Sequence, residues 1–319
     1  MPLYIRNNIL KILLYARNSW KLILLFYLNI ISENKLIIRQ LAGNFFKFIL
    51  NIYVNISINF NKKRILRDYT QSTKFIDLDY NWLAGFIQGD GSFIIRKTRV
   101  EYILYISQSL NDIQVLYKIK KLLGFGYIRI QKNENMAHYV LQKKEGLNKV
   151  LILLEGKFIG IKLKQYLEFL KYFSIELTNI SDDFINFNNA WLSGFIDADG
   201  SFYASFSKNK KMKSGFHLQL RFAITQKYLD ILKKICILFN KRVLYNKKGF
   251  YYFILSDSLN LNLLINYIKK FPLYTKKSIS FNRWLKLYYI YINKEHLDLK
   301  FDYIKSKVKL INSIDKWKK

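Results

Sequence analysis

The chain predicts an α+β fold built from two copies of one unit, and three observations predict it. The twelve residues from Trp82 to Phe93 return as Trp191 to Phe202 with nine of twelve positions identical, and a repeat at such spacing marks two copies of one structural unit. Landmarks then follow both copies in the same order: Gln108 with Asp112 and Ile113 four residues on, Gln226 with Asp230 and Ile231 four residues on. Finally, His217, Gln219, Arg221, Ala223 and Thr225 alternate with Leu218, Leu220, Phe222 and Ile224. That period of two belongs to a sheet with one buried and one wet face. Each unit reads as helix, two strands, helix, two strands, helix (αββαββα).

The motif helix comes first. Gly85 and Gly89 are four apart, as are Gly194 and Ala198, so on a helix both small residues share a face and let two backbones approach closely. Each apolar run ends on a carboxylate and a glycine, Asp90-Gly91 and Asp199-Gly200. Helix C-termini favour cations, so a carboxylate placed there twice points to a shared cation. If the two motif helices pack together, Asp90 and Asp199 lie side by side.

The strands follow. In the second unit Ser205, His217, Gln219 and Arg221 are candidates for the wet face; in the first, Arg96, Thr98, Glu101 and Arg129 are less orderly candidates. Arginine reads guanine edges and glutamine reads adenine in the major groove, which admits a β-ribbon. Later strand pairs are predicted at 126–131 with 138–142 and at 242–246 with 250–255. A helical stretch then ends each unit in a lysine-bearing segment, 158–164 and 271–277. The expected division is a basic extension over 1–75, repeats over 76–180 and 181–292, and a charged helical tail over 293–319.

Composition narrows the chemistry. The 319 residues hold 53 Lys and Arg against 22 Asp and Glu, a formal charge of +31 that calls for a polyanionic partner. One cysteine, Cys236, and three scattered histidines exclude a disulfide framework and a Cys/His zinc site. Any metal is therefore a hard cation on carboxylate oxygens, such as magnesium. The longest charge-free apolar run of the extension, Leu22 to Ser32, falls short of the roughly 20 residues a bilayer needs. No membrane association is expected. The extension is acid-poor like a transit peptide but hydroxyl-poor unlike one; a role in holding nucleic acid, or a relic of how the reading frame arose, fits it equally well, and its role is open. The abundance of Lys, Asn, Ile, Tyr and Phe fits an AT-rich organellar genome.

The paired motif closely resembles that of the LAGLIDADG homing endonucleases in their double-motif, single-chain form. The resemblance runs from about residue 77 to 290 and leaves 1–75 without a counterpart. It implies a pseudo-twofold saddle, with the motif helices at the central interface and two antiparallel sheets straddling DNA. The implied activity is an intron-encoded, magnesium-dependent endonuclease that makes double-strand breaks at a long asymmetric target to promote intron homing. The implied protein is a mitochondrial monomer with no obligate protein partner. A second implied function is that of an RNA maturase assisting splicing of its own intron, alone or with the first. Carried over by residue, the metal positions are Asp90 and Asp199 with Gly89 and Ala198 before them. Gln108 and Gln226 would position water, and Lys164 and Lys277 would stabilise the transition state, with Lys162 and Lys276 as near alternatives. Gln88 departs from the acid common in the family, which the second motif keeps as Asp197.

Overall fold

A computed structural model describes residues 78–96, 98, 101–177, 183–211, 215–245, 248–297 and 301–313. The expected extension over 1–75 lies outside the described residues, as do parts of the linker between the repeats and the end of the tail.

The first repeat begins with α1 (Tyr80–Asp90), opened by Asp79, whose carboxylate accepts the Asn81 N–H at 2.6 Å as N-cap aspartates do. Strands β1 (Gly91–Arg96) and β2 (Glu101–Ser109) pair antiparallel. A turn of 3-10 helix over Leu110–Asp112 leads into α2 (Ile113–Leu123). Val115, Leu116, Ile119, Leu122 and Leu123 bury one face of α2, the helical spacing of an amphipathic element. Gly124, at φ 73°, ends α2 with its N–H on the Lys120 carbonyl, a left-handed cap suited to glycine. Strands β3 (Tyr127–Gln131) and β4 (Met136–Leu141) complete a sheet ordered β1-β2-β4-β3. Helices α3 (Lys144–Leu153) and α4 (Gly160–Tyr172) follow.

The second repeat runs α5 (Trp191–Asp199), β5 (Gly200–Lys208), β6 (Phe216–Gln226), α6 (Asp230–Leu238), β7 (Leu244–Tyr245), β8 (Tyr251–Leu255), α7 (Ser258–Lys270) and α8 (Lys277–Ile292). Its sheet is ordered β5-β6-β8-β7, the same topology as the first. In the tail, α9 (Phe301–Leu310) contacts β5 and α8 and buries Ile304, while Ile311 just beyond it is also buried.

Each repeat thus carries one helix more than the sequence pattern suggests. The lysine-bearing segment does not end the last helix; it starts a new one. Between α3 and α4 the chain turns at Gly156 (φ 70°) and Gly160 (φ 60°), and between α7 and α8 it passes through Pro272, which cannot continue a helical ladder. Gly126, expected within a strand, instead takes φ 85°, and a Cβ there would lie 2.7 Å from the Tyr139 ring.

Core and wet faces follow the strand register. In the second sheet Phe202, Phe222, Ile224, Phe253 and Leu255 face a buried layer with Phe281 and Trp284 of α8. The opposite face carries Ser201, Tyr203, Ser205 and Ser207 against Ala223, Arg221, Gln219 and His217. In the first sheet Phe93 packs on Phe158, Tyr166 and Phe169, leaving the other face to Arg96, Glu101, Tyr105, Ser107, Arg129 and His138. Among the described residues, no helix is long and apolar enough to cross a membrane.

Candidate active site

Helices α1 and α5 cross through their small residues. A Cβ added at Gly85 would lie 1.9 Å from the Trp191 carbonyl oxygen, and one at Gly194 would lie 1.9 Å from that of Trp82. The backbones therefore touch, and no side chain fits between them. One turn further on, a Cβ at Gly89 would meet the Ala198 Cβ at 2.4 Å and Asp199 Oδ2 at 2.7 Å. The crossing brings the two C-terminal aspartates together. Gly91 and Gly200 are extended rather than left-handed (φ −85° and −73°). Their role is steric: a Cβ on Gly91 would crowd Ile87, and one on Gly200 would crowd Ile196, so the strand departs sharply from the helix end.

Each carboxylate has a glutamine from its own sheet. Gln108 Nε2 donates to Asp90 Oδ2 at 2.5 Å, and Gln226 Nε2 donates to Asp199 Oδ2 at 2.8 Å. Two lysines approach from the sides. Lys277 Nζ donates to the carbonyls of Ala198 and, at 3.3 Å, Ile196; Lys162 Nζ donates to the Gly91 carbonyl. Lys162 thus sits at the aspartates, whereas Lys164, the residue expected there, is exposed on α4. The cause is the helix start at Gly160, which puts position 162 in the first turn, beside α1. Lys276 contributes a backbone N–H to Asp112 at 2.7 Å.

Electrostatics record the crowding. Burial and then the neighbouring Asp199 charge push the Asp90 carboxyl from 3.8 up to about 6, against the Gln108 hydrogen bond and Lys277. Burial likewise raises Asp199, opposed by Gln226, Lys277 and Lys162. Burial pulls Lys162 down to about 8 and also lowers Lys277, while both aspartates act to keep these ammoniums charged. Two acids and two bases, all desolvated, face one another.

Asp197 and Gln88, at matching places in the two motifs, do a different job. Asp197 is buried and accepts from Trp82 Nε1 (2.9 Å), the Tyr274 N–H (2.7 Å), the Thr275 N–H (3.1 Å) and Thr275 Oγ1 (2.5 Å). It fixes the segment leading to Lys277. Gln88 does the same for the segment leading to Lys162, accepting the Ile159 N–H at 3.0 Å and donating to its carbonyl at 3.3 Å. Both tryptophans reach across the repeats, Trp191 Nε1 bonding the Lys157 carbonyl at 3.0 Å.

A hard cation fits this donor set. Its oxygens would be the Asp90 and Asp199 carboxylates; of the two carbonyls expected beside them, that of Ala198 accepts from Lys277 Nζ, and among the described residues there is no His, Cys, Asp and Glu group of three or more that could hold a metal. The mutual repulsion of the two half-buried carboxylates is what a cation would relieve.

The sheet faces hold the remaining candidates. Ser205, His217, Gln219 and Arg221 share the polar face of the second sheet, where Arg221 donates to Gln219. Arg96, Glu101 and Arg129 share that of the first, with Arg96 and Glu101 paired at 3.2 Å; Thr98 is exposed in the turn between β1 and β2. None of these reaches the aspartates. Sequence reasoning missed Tyr105, Ser107, Gln131 and His138 on the first face, where His138 bonds Ser107 at 3.0 Å and Gln131 at 3.2 Å and stacks on Tyr105. It also missed Tyr203 on the second.

Comparison with known proteins gives a consistent result. A family model described as LAGLIDADG endonuclease matches residues 83–173 and 192–288, more than half the chain. A probable intron-encoded endonuclease 4 of Neurospora crassa is 34% identical over 217 residues, covering 64% of this chain and 39% of its own length. An intron-encoded RNA maturase bI4 of Saccharomyces cerevisiae is 28% identical over 242 residues, covering 73% of this chain and 36% of its own length. The chain thus spans little more than a third of these curated relatives. Among solved structures, the LAGLIDADG meganuclease I-AabMI bound to uncleaved DNA shares the fold at a TM-score of 0.60 and 22% identity, over 74% of this chain and 99% of that one.

Proposed function

The chain belongs to the LAGLIDADG endonuclease family, and from that premise we propose that it is an intron-encoded, site-specific DNA endonuclease. In this reading it makes double-strand breaks at a long asymmetric target and so promotes intron homing. One observation carries the reading: two half-buried aspartates at the crossing of pseudo-symmetric helices, each with its own glutamine and a nearby lysine. The relatives' names and the net charge of +31 support DNA as the substrate.

Asp90 and Asp199 would hold the divalent cation, taken here as magnesium, with the carbonyls of Gly89 and Ala198 beside them. When bound, it supplies charge stabilisation for the attacking and leaving oxygens of phosphodiester hydrolysis. Gln108 and Gln226, anchored by their amide donors on the carboxylates, present amide oxygens that orient water. Lys162 and Lys277 neutralise charge growing on the phosphate, in a desolvated site where such contacts are strong. The polar sheet faces read the target: Arg221 and Gln219 on the second, Arg96 and Arg129 on the first, with Thr98, Glu101, Ser205 and His217 alongside. The domain limits over 76–180 and 181–292, a monomeric state and a mitochondrial location belong to the same proposal.

The test is cleavage of a duplex spanning the intron-less insertion site. The native chain with magnesium is expected to cut both strands, and Asp90→Asn and Asp199→Asn to bind without cutting; unchanged cutting by both variants would refute the assignment. The relative named as an RNA maturase favours a second reading, assistance in splicing the host intron. Splicing rescue that survives loss of either aspartate is its expected signature, with strongly salt-dependent binding to the intron RNA.

A further inference from the structure

Asp112 and Asp230 recur at one place in each repeat, four residues beyond the glutamine that bonds the motif carboxylate. Asp112 ends the turn of 3-10 helix after β2, and its Oδ1 accepts the Lys276 N–H at 2.7 Å, 164 residues on in the other repeat. Lys276 is the N-cap residue of α8, and its own side chain makes no capping bond. The carboxylate therefore sits at the positive end of a helix from the opposite repeat, where negative charge is favoured. Contact between these regions is broader than one bond, since Lys118 of α2 lies 4.7 Å from the Tyr274 ring centre.

The other repeat places an aspartate in the corresponding position. Gly160 opens α4 at φ 60°, and a Cβ there would lie 3.2 Å from Asp230 Oδ2. Lys162 stands in the first turn of that helix. In each half, then, an aspartate of one repeat meets the start of the lysine-bearing helix of the other.

We propose that Asp112 is a positioning residue acting across the repeats: by capping α8 it holds Lys277 against the motif carboxylates, as Asp230 serves Lys162. Each lysine is then set from both sides, by Asp197 or Gln88 of its own repeat and by an aspartate of the other, and the site is complete only when both repeats are docked. The inference rests on the endonuclease reading. In that reading one lysine attends the scissile phosphate of each strand.

Strand-resolved cleavage of an end-labelled target duplex with magnesium tests it, comparing the native chain with Lys277→Ala, Asp112→Ala, Asp112→Asn and Asp230→Ala. Lys277→Ala is expected to slow one strand selectively. Asp112→Ala is expected to slow that same strand roughly tenfold to a hundredfold in kcat, the scale of a small misplacement, with duplex affinity unchanged. Asp112→Asn keeps an acceptor oxygen and is expected to recover most of the rate; Asp230→Ala is expected to slow the other strand. Equal slowing of both strands by Asp112→Ala, no slowing, or a Lys277→Ala variant without strand bias would overturn the inference while native cutting leaves the endonuclease reading intact. A native chain that binds but does not cut overturns both.

Discussion

Asp90→Asn is expected to stabilise the metal-free protein while removing its activity. The Asp90 carboxyl is raised from 3.8 to about 6 by burial and by Asp199, so the folded state resists its ionisation. At about 1.4 kcal/mol per pKa unit, ionised Asp90 costs the fold about 3 kcal/mol at pH 7.5, an upper figure. The sign follows from the folded carboxyl being the weaker acid. The penalty is complete above the folded value of about 6 and fades as pH falls toward the unfolded value, to roughly half at pH 5. Asparagine carries no charge and keeps an oxygen for the Gln108 amide. Thermal unfolding in EDTA is the assay. At pH 7.5 the variant is expected to melt above the native chain, by at most about 6–12 °C at roughly 2–4 °C per kcal/mol for a domain of this size. The gap is expected to narrow at pH 5. Magnesium is expected to raise the native midpoint by mass action and to leave the variant nearly unmoved. A variant no more stable than the native chain at pH 7.5, or a gap that widens on acidification, would refute the reasoning.

Other substitutions bear on separate parts of the account. Gly194→Ala drives a Cβ to 1.9 Å from the Trp82 carbonyl oxygen; a loss of at least about 3 kcal/mol is expected in urea unfolding, since backbone cannot yield as a side chain does. Lys162→Ala is expected to cut cleavage on the order of a hundredfold, whereas Lys164→Ala, on the exposed side of α4, leaves it within about twofold; single-turnover rates separate the two. Arg221→Ala is expected to weaken target binding by about 1–3 kcal/mol and relax preference at the base it reads, measured by competition against single-base variants of the target.

How much of this was legible in the sequence depends on the range of the contact involved. The helix crossing could be inferred because the small residues and terminal aspartates of the motif occur twice within twelve near-identical positions. The wet face of β6 was readable because His217 to Thr225 alternate cleanly with buried Leu218, Leu220, Phe222 and Ile224. The first sheet hid its face: Ile103 is buried on the side that carries Tyr105 and Ser107, so the period of two is blurred. Lys162 and Lys164 differ by two residues, and only the start of α4 at Gly160 decides between them. The Asp197 contacts to Trp82 and to Tyr274 and Thr275 and the Asp112 contact to Lys276 join residues 77 to 164 positions apart. No local pattern announces such partners.

Asp90 and Asp199 are proposed to hold jointly the divalent cation that DNA cleavage would need. An anomalous difference map of the native chain crystallised on its target duplex with manganese tests it most directly. Metal density bounded by the two carboxylates, absent in Asp199→Asn, is the expected result. Metal held by other residues in a crystal whose DNA has been cut would contradict the account.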